Sequence, residues 1–203
     1  MTTKKALIIV DVQNDFIEGG SLAVQDGEQA AQRIANLLRD VQGAGHHKVY
    51  DLVVTTQDWH INPGEHWSET PDFTDTWPVH GKAGTEGAEL SPRLTPVLDK
   101  IDRRFYKGQH AAAYSGFEAI DDKTNGDAGL GEYLKQAGIT DVDIVGIATD
   151  YCVKATALDA VKEGFVTRVI IPFTAAVAPE SNAAARKEMA EAGVTLAEGG
   201  TVL

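Results

Sequence analysis

Apolar residues in this chain fall into short continuous runs separated by turns and by helical patterns. Six runs rich in β-branched residues are predicted to be strands, at 6–10, 49–56, 101–106, 142–148, 166–171 and, more weakly, 194–197. Their apolarity is continuous rather than alternating, which is typical of strands buried on both faces of a parallel sheet.

Helical patterns lie between these runs. Apolar residues three and four positions apart predict one helix over 31–41, and two more are predicted near 152–163 and 181–192, ended by Gly164 and Gly193. Strands that alternate with helices imply right-handed crossovers. The expected fold is therefore Rossmann-like, a three-layer α/β/α arrangement with a central, mainly parallel, six-stranded sheet. We interpret residues 1–203 as a single domain, a routine length for this class.

One long segment departs from the alternation. Residues 58–96 contain five of the seven prolines in the chain and show little periodicity. An irregular segment of this length inside a compact domain is usually functional.

The charge balance limits the kinds of partner. The chain has 18 Lys and Arg against 30 Asp and Glu, a formal net charge of −12, which disfavours binding to nucleic acid or to a membrane. A small neutral substrate is compatible with that charge. The single cysteine excludes an intrachain disulfide, and the first apolar run, of five residues, is too short for a signal sequence. We therefore expect a cytoplasmic protein.

The only cysteine, Cys152, follows a predicted strand and lies in the first turn of a predicted helix. Unpaired backbone N–H groups and the helix dipole at that position favour a thiolate. Asp150 is expected to cap this helix. The alternative is a buried structural cysteine that packs as a small apolar side chain.

Three chemically active residues follow three of the predicted strands. Asp11 follows the first strand, Lys107 the third and Cys152 the fourth. Ligands of open parallel sheets bind at the carboxyl ends of the strands, so these side chains should meet at one edge. There Asp11 would accept the thiol proton and Lys107 would stabilise the resulting charge. Taken singly, Asp11 could instead cap a turn and Lys107 could be a solvated surface lysine.

The irregular segment contains a second group of candidates: Asp58, His60, His66 and His80. Imidazole nitrogen and carboxylate oxygen suit zinc, iron or manganese. Glu69 is a further oxygen donor, and the sequence does not rank it against His66. The alternative is that these histidines are ordinary loop residues.

At this point the chain resembles the family of cysteine hydrolases that includes nicotinamidase/pyrazinamidase and isochorismatase. The resemblance rests on Ala-Leu-Ile-Ile-Val-Asp-Val-Gln-Asn-Asp-Phe at 6–16, Asp58-Trp59-His60, Trp77-Pro78-Val79-His80, Phe105-Tyr106-Lys107-Gly108, Tyr114-Ser115-Gly116-Phe117 and Gly146-Ile147-Ala148-Thr149-Asp150-Tyr151-Cys152-Val153. These runs span nearly the whole chain. The segment with Asp58 and the Phe-Tyr-Lys-Gly run are similar to nicotinamidases in particular.

The resemblance implies hydrolysis of nicotinamide, and of pyrazinamide, to the acid and ammonia through a cysteine thioester, in NAD salvage. It implies one divalent metal ion, zinc first and iron or manganese as alternatives, and it leaves open whether the chain forms a homo-oligomer. The implied roles are a triad of Asp11, Lys107 and Cys152; metal ligands Asp58, His60, His66 and His80, with Glu69 as the alternative fourth ligand; backbone N–H groups of Ala148 and Cys152 for the oxyanion; and a ring pocket of Phe16, Leu22, Trp77, Tyr114 and Tyr151. The Ile147–Ala148 peptide bond is expected to be cis.

Two other functions are compatible with part of this pattern. A related amidase that acts on a carbamoyl or ureido compound would keep Cys152 and is the nearest alternative. A phosphoacceptor receiver domain also carries acids and a lysine at strand ends, but it is much shorter and gives no reason for Cys152 or for the histidines.

Overall fold

The computed structural model describes residues 3–41, 49–121 and 128–199. Within them one sheet contains strands β1 (Lys5–Val10), β2 (Leu52–Asp58), β3 (Arg103–Lys107), β4 (Ile120–Asp121), β5 (Asp141–Ile147), β6 (Val166–Ala175) and β7 (Thr195–Ala197). The strand order is β4-β3-β2-β1-β5-β6-β7. All neighbours are parallel except β3 and β4. The mainly parallel sheet is confirmed.

Four α-helices accompany the sheet in the described residues: α1 (Gly27–Val41), α2 (Leu130–Gln136), α3 (Lys154–Lys162) and α4 (Pro179–Glu191). A five-residue π-helical turn, Thr149–Val153, leads into α3. Gly164 and Gly193 follow the last residues of α3 and α4 with φ of +91° and +94°, so both predicted helix ends are confirmed. A left-handed residue just after the last turn suits glycine, which has no Cβ.

The helices cover the sheet on both faces. Side chains of β1 alternate between two cores, with Ile8 packed on the side of α2, α3 and α4 and Ile9 packed on the side of α1. The 3-10 helix Pro92–Lys100 completes the second face beside α1. This arrangement confirms the three-layer α/β/α prediction.

The sheet differs from the prediction in its strand count. The additional strand, β4, has two residues and pairs antiparallel at the edge. Two residues are too few to show any periodicity, and the following helix α2 has seven, so neither was recognised from the sequence.

Among the helices of the described residues, none combines the length and the apolar composition that a membrane span needs.

Candidate active site

Four polar side chains lie where neighbouring strands end. Asp11 directly follows β1, Asp58 is the last residue of β2, and Lys107 is the last residue of β3, paired in register with Asp58. Cys152 lies in the turn after β5, and β5 is the other neighbour of β1. The sheet therefore brings the predicted triad to one edge, as the carboxyl-end rule requires.

The Lys107 ammonium is at the centre of this cluster. Its Nζ lies 3.0 Å from Asp11 Oδ2 and 3.6 Å from Cys152 Sγ. It also donates to Asp58 Oδ1 and to the carbonyl oxygen of Ala113. Asp11 and Lys107 are both 0 % exposed. The alternative of a solvated surface lysine is therefore wrong, because Lys107 is buried among charged and polar partners. The Asp11 carboxylate pairs with the side chains of Thr56 and Lys107.

Burial and neighbouring charge set the protonation of these groups. Burial raises the pKa of Asp11, although Lys107 opposes the change. Burial by itself lowers the pKa of an ammonium, but Asp11 and Asp58 raise the pKa of Lys107 well above its usual value. Burial raises the pKa of the Cys152 thiol, with Lys107 opposing and Asp11 adding to the shift. The resting pair is thus a thiol beside a lysine cation, and attack requires a proton acceptor.

The turn around Cys152 departs from the sequence prediction in two ways. Asp150 does not cap its own helix: its carboxylate accepts hydrogen bonds from the N–H groups of Val177 and Ala178 and from the Ser181 hydroxyl, at the start of α4. The pKa of the Cys152 thiol is also raised rather than lowered, and burial is the largest cause of that change. The sequence could show the strand-to-helix junction but not the depth of the thiol.

Three histidines from the irregular segment converge beside this cluster. One ligand atom from each of His60, His66 and His80 lies within 4.8 Å of the others, and all three residues are buried. Asp58 Oδ2 lies 3.7 Å from His60 Nε2 and 3.8 Å from His80 Nε2. Asp58 therefore contacts both the lysine and the histidines, through its two different oxygens.

The hydrogen bonds of the rings suit a metal ion. The Nδ1 atoms of His60 and His80 lie 2.5 Å and 2.7 Å from the carbonyl oxygens of Gly108 and Pro78. Donation through Nδ1 leaves each Nε2 as an acceptor that points at the cluster, the arrangement found for ligating histidines. Among the described residues, buried His60 Nε2 and His66 Nδ1 have no hydrogen-bond partner. A cation would satisfy these atoms, so the donor set fits a divalent metal.

The pKa values agree with neutral imidazoles. Burial, together with the neighbouring His80 and His60, lowers the pKa of His66 to about 4. Burial also lowers the pKa of His80, although Asp58 opposes it. Burial opposes ionisation of Asp58, but Lys107 and His60 hold its pKa below the usual range. Neutral imidazoles at His66 and His80 and a carboxylate at Asp58 are the protonation states that a divalent metal requires.

Glu69, the alternative oxygen donor, lies elsewhere. Its side chain is exposed and lines a separate surface depression with Trp67 and Pro78. His66, in contrast, is 5 % exposed and joins the other two histidines. The geometry therefore selects His66 over Glu69 as the additional member of the cluster.

A cavity of about 450 Å³ of open space, counting its mouth, lies over the cluster. It is lined by all five residues expected around an aromatic ring: Phe16, Leu22, Trp77, Tyr114 and Tyr151. Trp77 Nε1 donates to the Tyr114 hydroxyl at 3.1 Å, and the rings of Trp77 and Tyr151 meet edge to face at 5.0 Å. Cys152, Asp58, His66 and His80 also line the cavity, so an aromatic wall and the polar groups share one space.

Sequence reasoning missed part of this wall. Val24, Ala113, Ile147 and Val177 also line the cavity, and small apolar residues carry no signal that separates a pocket from a core. The expected cis peptide bond at Ile147–Ala148 is confirmed. Ala148 and Cys152 both line the cavity, while their role as oxyanion donors stays a prediction.

Several supporting residues were also missed. The Thr56 hydroxyl donates to Asp11 Oδ1 at 2.7 Å, and Gln13 hydrogen bonds the backbone of Asp58. Gly108 has φ +75°, and a Cβ there would lie 2.4 Å from the His60 ring, so the ring packs where only glycine leaves room. The sequence offered two signals: Thr56 lies two positions before the candidate acid Asp58, and Gly108 directly follows the candidate lysine Lys107.

Comparisons with known proteins agree with this geometry. A family profile described as the isochorismatase domain matches residues 5–199. The chain is 48% identical over 192 residues to the nicotinamidase/pyrazinamidase of Mycobacterium tuberculosis, covering 95% of this chain and 97% of that protein. The pyrazinamidase of Pyrococcus horikoshii in complex with zinc superposes with a TM-score of 0.75 at 33% identity, over 97% of this chain and 99% of that one. PnC1 from L. infantum in complex with nicotinate gives a TM-score of 0.78 at 35% identity, over 96% and 92% of the two chains.

Proposed function

The chain belongs to the isochorismatase family of hydrolases, and from this premise we propose that it hydrolyses nicotinamide, and pyrazinamide, to the corresponding acid and ammonia. One observation carries the proposal. Lys107 Nζ lies 3.0 Å from Asp11 Oδ2 and 3.6 Å from Cys152 Sγ, beneath a cavity with aromatic walls. A thiol that lines a pocket with aromatic walls, with an acid and a fixed cation close to it, provides the parts that acyl transfer from an aromatic amide needs.

The first step forms a bond between Cys152 Sγ and the carboxamide carbon. Asp11 accepts the thiol proton as the sulfur attacks, and its raised pKa makes it a stronger base than a solvated carboxylate. Lys107 remains an ammonium and stabilises the charge that develops on sulfur. The carbonyl oxygen becomes an oxyanion, which we assign to the backbone N–H groups of Ala148 and Cys152.

The second half of the reaction releases both products. Asp11 returns its proton to the amide nitrogen and the C–N bond breaks. Ammonia departs, and the acyl group remains bound to Cys152 as a thioester. Water then attacks the thioester carbon while Asp11 accepts a proton, the C–S bond breaks, and Cys152 regains its proton from Asp11. The acid that leaves is nicotinate when the substrate is nicotinamide.

The aromatic residues orient the ring for this chemistry. Trp77 is held by its hydrogen bond to Tyr114 and by the edge of Tyr151, so the wall is fixed before substrate arrives. Phe16 packs against His80 with ring centroids 5.7 Å apart and faces the same cavity. A ring placed among these residues would present its carboxamide carbon to Cys152, and such positioning supplies a large share of the rate enhancement.

The histidine cluster completes the proposal. His60, His66 and His80, with Asp58 beside them, would hold one divalent ion, for which we propose zinc, with iron or manganese as alternatives. When bound, such an ion supplies a Lewis acid at the edge of the cavity. The chain's own residues still provide the nucleophile, the base and the fixed cation.

Two further expectations belong with this proposal. The profile match over residues 5–199 supports the interpretation of the chain as one domain. The net charge of −12 supports a small neutral substrate rather than nucleic acid or a membrane as partner. We place the enzyme in the cytoplasm, in NAD salvage.

Incubation with nicotinamide, with and without a chelator, tests the function. Equal amounts of ammonia and nicotinate are expected from the metal-loaded protein, and neither product from Cys152→Ala. A ureido or carbamoyl compound serves as the comparison substrate, since it lacks the aromatic ring for which the wall is built. Turnover of that compound with no release of nicotinate would contradict the proposal and favour the related amidase.

A further inference from the structure

The edge of the sheet beside Asp58 has an unusual construction. β1 ends at Val10, and Asp11, with φ of +47°, turns the chain away from the sheet. The last regular hydrogen bond across this pair runs from the Asp11 N–H to the Thr56 carbonyl. β2 continues two residues further, to Asp58. In a parallel ladder, residues two apart direct their N–H and C=O groups to the same neighbour, so the Asp58 peptide groups face a strand that is no longer there.

The side chain of Gln13 takes the place of the missing strand. Its Oε1 accepts the Asp58 N–H at 2.8 Å, and its Nε2 donates to the Asp58 carbonyl at 2.9 Å and to the Ala88 carbonyl at 2.8 Å. Gln13 is 0 % exposed. Its own N–H donates to the Asp11 carbonyl at 2.8 Å. One residue therefore connects the backbones of both active-site carboxylates.

We propose that Gln13 is a positioning residue for the metal site: its carboxamide substitutes for a peptide group and adds one rung to the β1–β2 ladder. With both backbone groups of Asp58 held, its carboxylate is fixed between Lys107 on one oxygen and the His60 and His80 nitrogens on the other. This inference rests on the proposed metal site. Residues that orient ligands in this way typically affect metal affinity by about 10- to 100-fold.

The chemistry of the contacts explains why a glutamine is required. The position needs one acceptor for the Asp58 N–H and a donor for two carbonyl oxygens, which only a primary amide of this length supplies. Glutamate would direct a second oxygen at both carbonyls. Methionine fills a similar volume but offers neither group.

Gln57 provides a matched control. It is also 0 % exposed and its Nε2 donates to the same Ala88 carbonyl, at 2.9 Å, but in the part of the chain that the structure describes its side chain forms no hydrogen bond to Asp58. Gln13→Met and Gln57→Met each remove one bond to Ala88, and only Gln13→Met also releases Asp58. The comparison separates the positioning of Asp58 from a general loosening of the backbone around Ala88.

The test is a zinc competition titration of each protein against a chromogenic chelator, at a temperature where thermal unfolding shows every variant folded. Gln13→Met is expected to bind zinc about 10- to 100-fold more weakly than wild type, and Gln57→Met to bind as wild type does. Gln13→Glu, which keeps the acceptor but loses the donor, replaces Gln13→Met if the latter does not fold, and is expected to bind more weakly than wild type.

Equal zinc affinity of the folded Gln13 variant and wild type would overturn the assignment of Gln13 alone. The same loss in Gln57→Met as in Gln13→Met would also overturn it, because general loosening would then account for the effect. If wild-type protein binds no zinc, iron or manganese, the proposed metal site fails, and the assignment of Gln13 fails with it.

Discussion

Two clusters of buried charge lie at opposite ends of the strands and differ in how fully their polar atoms are paired. At the amino ends, the Asp143 carboxylate accepts the Tyr50 hydroxyl at 2.8 Å and is bridged by Arg168 Nε and Nη2 at 2.8 Å and 2.5 Å. Lys5 adds a more distant charge at 3.8 Å. Each oxygen of this carboxylate has a hydrogen-bond donor, which is how a buried charge is normally stabilised.

The cluster at the carboxyl ends is incompletely paired. Among the described residues, His60 Nε2 and His66 Nδ1 have no hydrogen-bond partner, whereas Asp11 Oδ2 is paired with the Lys107 ammonium. A buried polar atom without a partner costs about 1–3 kcal/mol, so such atoms persist only where something else uses them. The contrast teaches that in this fold a saturated charge cluster holds the sheet together, whereas an unsaturated one is available to substrate and metal.

The largest expected effect comes from removing the nucleophile of the cluster at the carboxyl ends of the strands. Cys152→Ala should lower kcat by about 10⁴-fold or more, because no other group can form the covalent intermediate. Metal content and nicotinamide binding should persist, since the cavity wall and histidines are intact. Steady-state assay, metal analysis and equilibrium binding measure these three quantities. Wild-type turnover in this variant would contradict covalent catalysis.

The next effect breaks the saturated cluster. Asp143→Ala leaves the Arg168 guanidinium and the Tyr50 hydroxyl without their shared acceptor and should lower the free energy of unfolding by about 3 kcal/mol. Turnover per folded molecule should not change, because Asp143 lies at the other end of β5 from Cys152. Urea unfolding and kcat/KM at low temperature check both expectations. A loss of activity in fully folded protein would show that the clusters are not independent.

The metal site is broken by His60→Ala. Loss of one of three converging nitrogens should weaken zinc binding by about 100-fold or more, since even the outer partners of ligating residues change affinity by up to that amount. KM should rise as well, because the cavity borders the cluster. Chelator-treated wild type serves as the control for the KM measurement and should show the same rise in KM. Unchanged zinc affinity would remove His60 from the ligand set.

The smallest expected effect tests whether a carboxylate that is fully hydrogen bonded contributes to stability and not to metal binding. Asp150 lies in the same turn as Cys152, but its carboxylate accepts its hydrogen bonds at the start of α4. Asp150→Asn should therefore lower the free energy of unfolding by about 1 kcal/mol, as for a helix-capping residue, with zinc affinity retained. Thermal unfolding and a zinc titration measure the two. A large loss of zinc with little loss of stability would show that proximity matters more than pairing.

The regular elements were largely visible in the sequence. Continuous apolar runs predicted six of the strands, although the second begins at Leu52 rather than Val49 and β6 extends to Ala175. The first and last residues of a strand depend on its pairing with neighbouring strands. A single apolar run carries no information about that pairing. The two-residue β4 and the seven-residue α2 were missed because they are too short to show a period.

The candidate site was predictable in residue type and in its edge of the sheet. Asp11, Lys107 and Cys152 follow strands that must share a carboxyl end once the sheet is parallel, so their convergence follows from topology alone. The choice of His66 over Glu69 did not follow, because the irregular segment has no period that fixes which side chain turns inward. The partner of Asp150 was also hidden, since the N–H groups it accepts are 27 and 28 residues away.

The sequence by itself determined the layered fold and the edge where chemistry is possible, since hydrophobic periodicity and strand alternation are local properties that any window of the chain displays. Only the tertiary structure decided which polar atoms are paired and which are left over. Burial raises the pKa of Cys152, Lys107 joins Asp11 to Asp58, and Gln13 replaces an absent strand, and each of these depends on groups that are distant in sequence and meet only when the sheet is assembled.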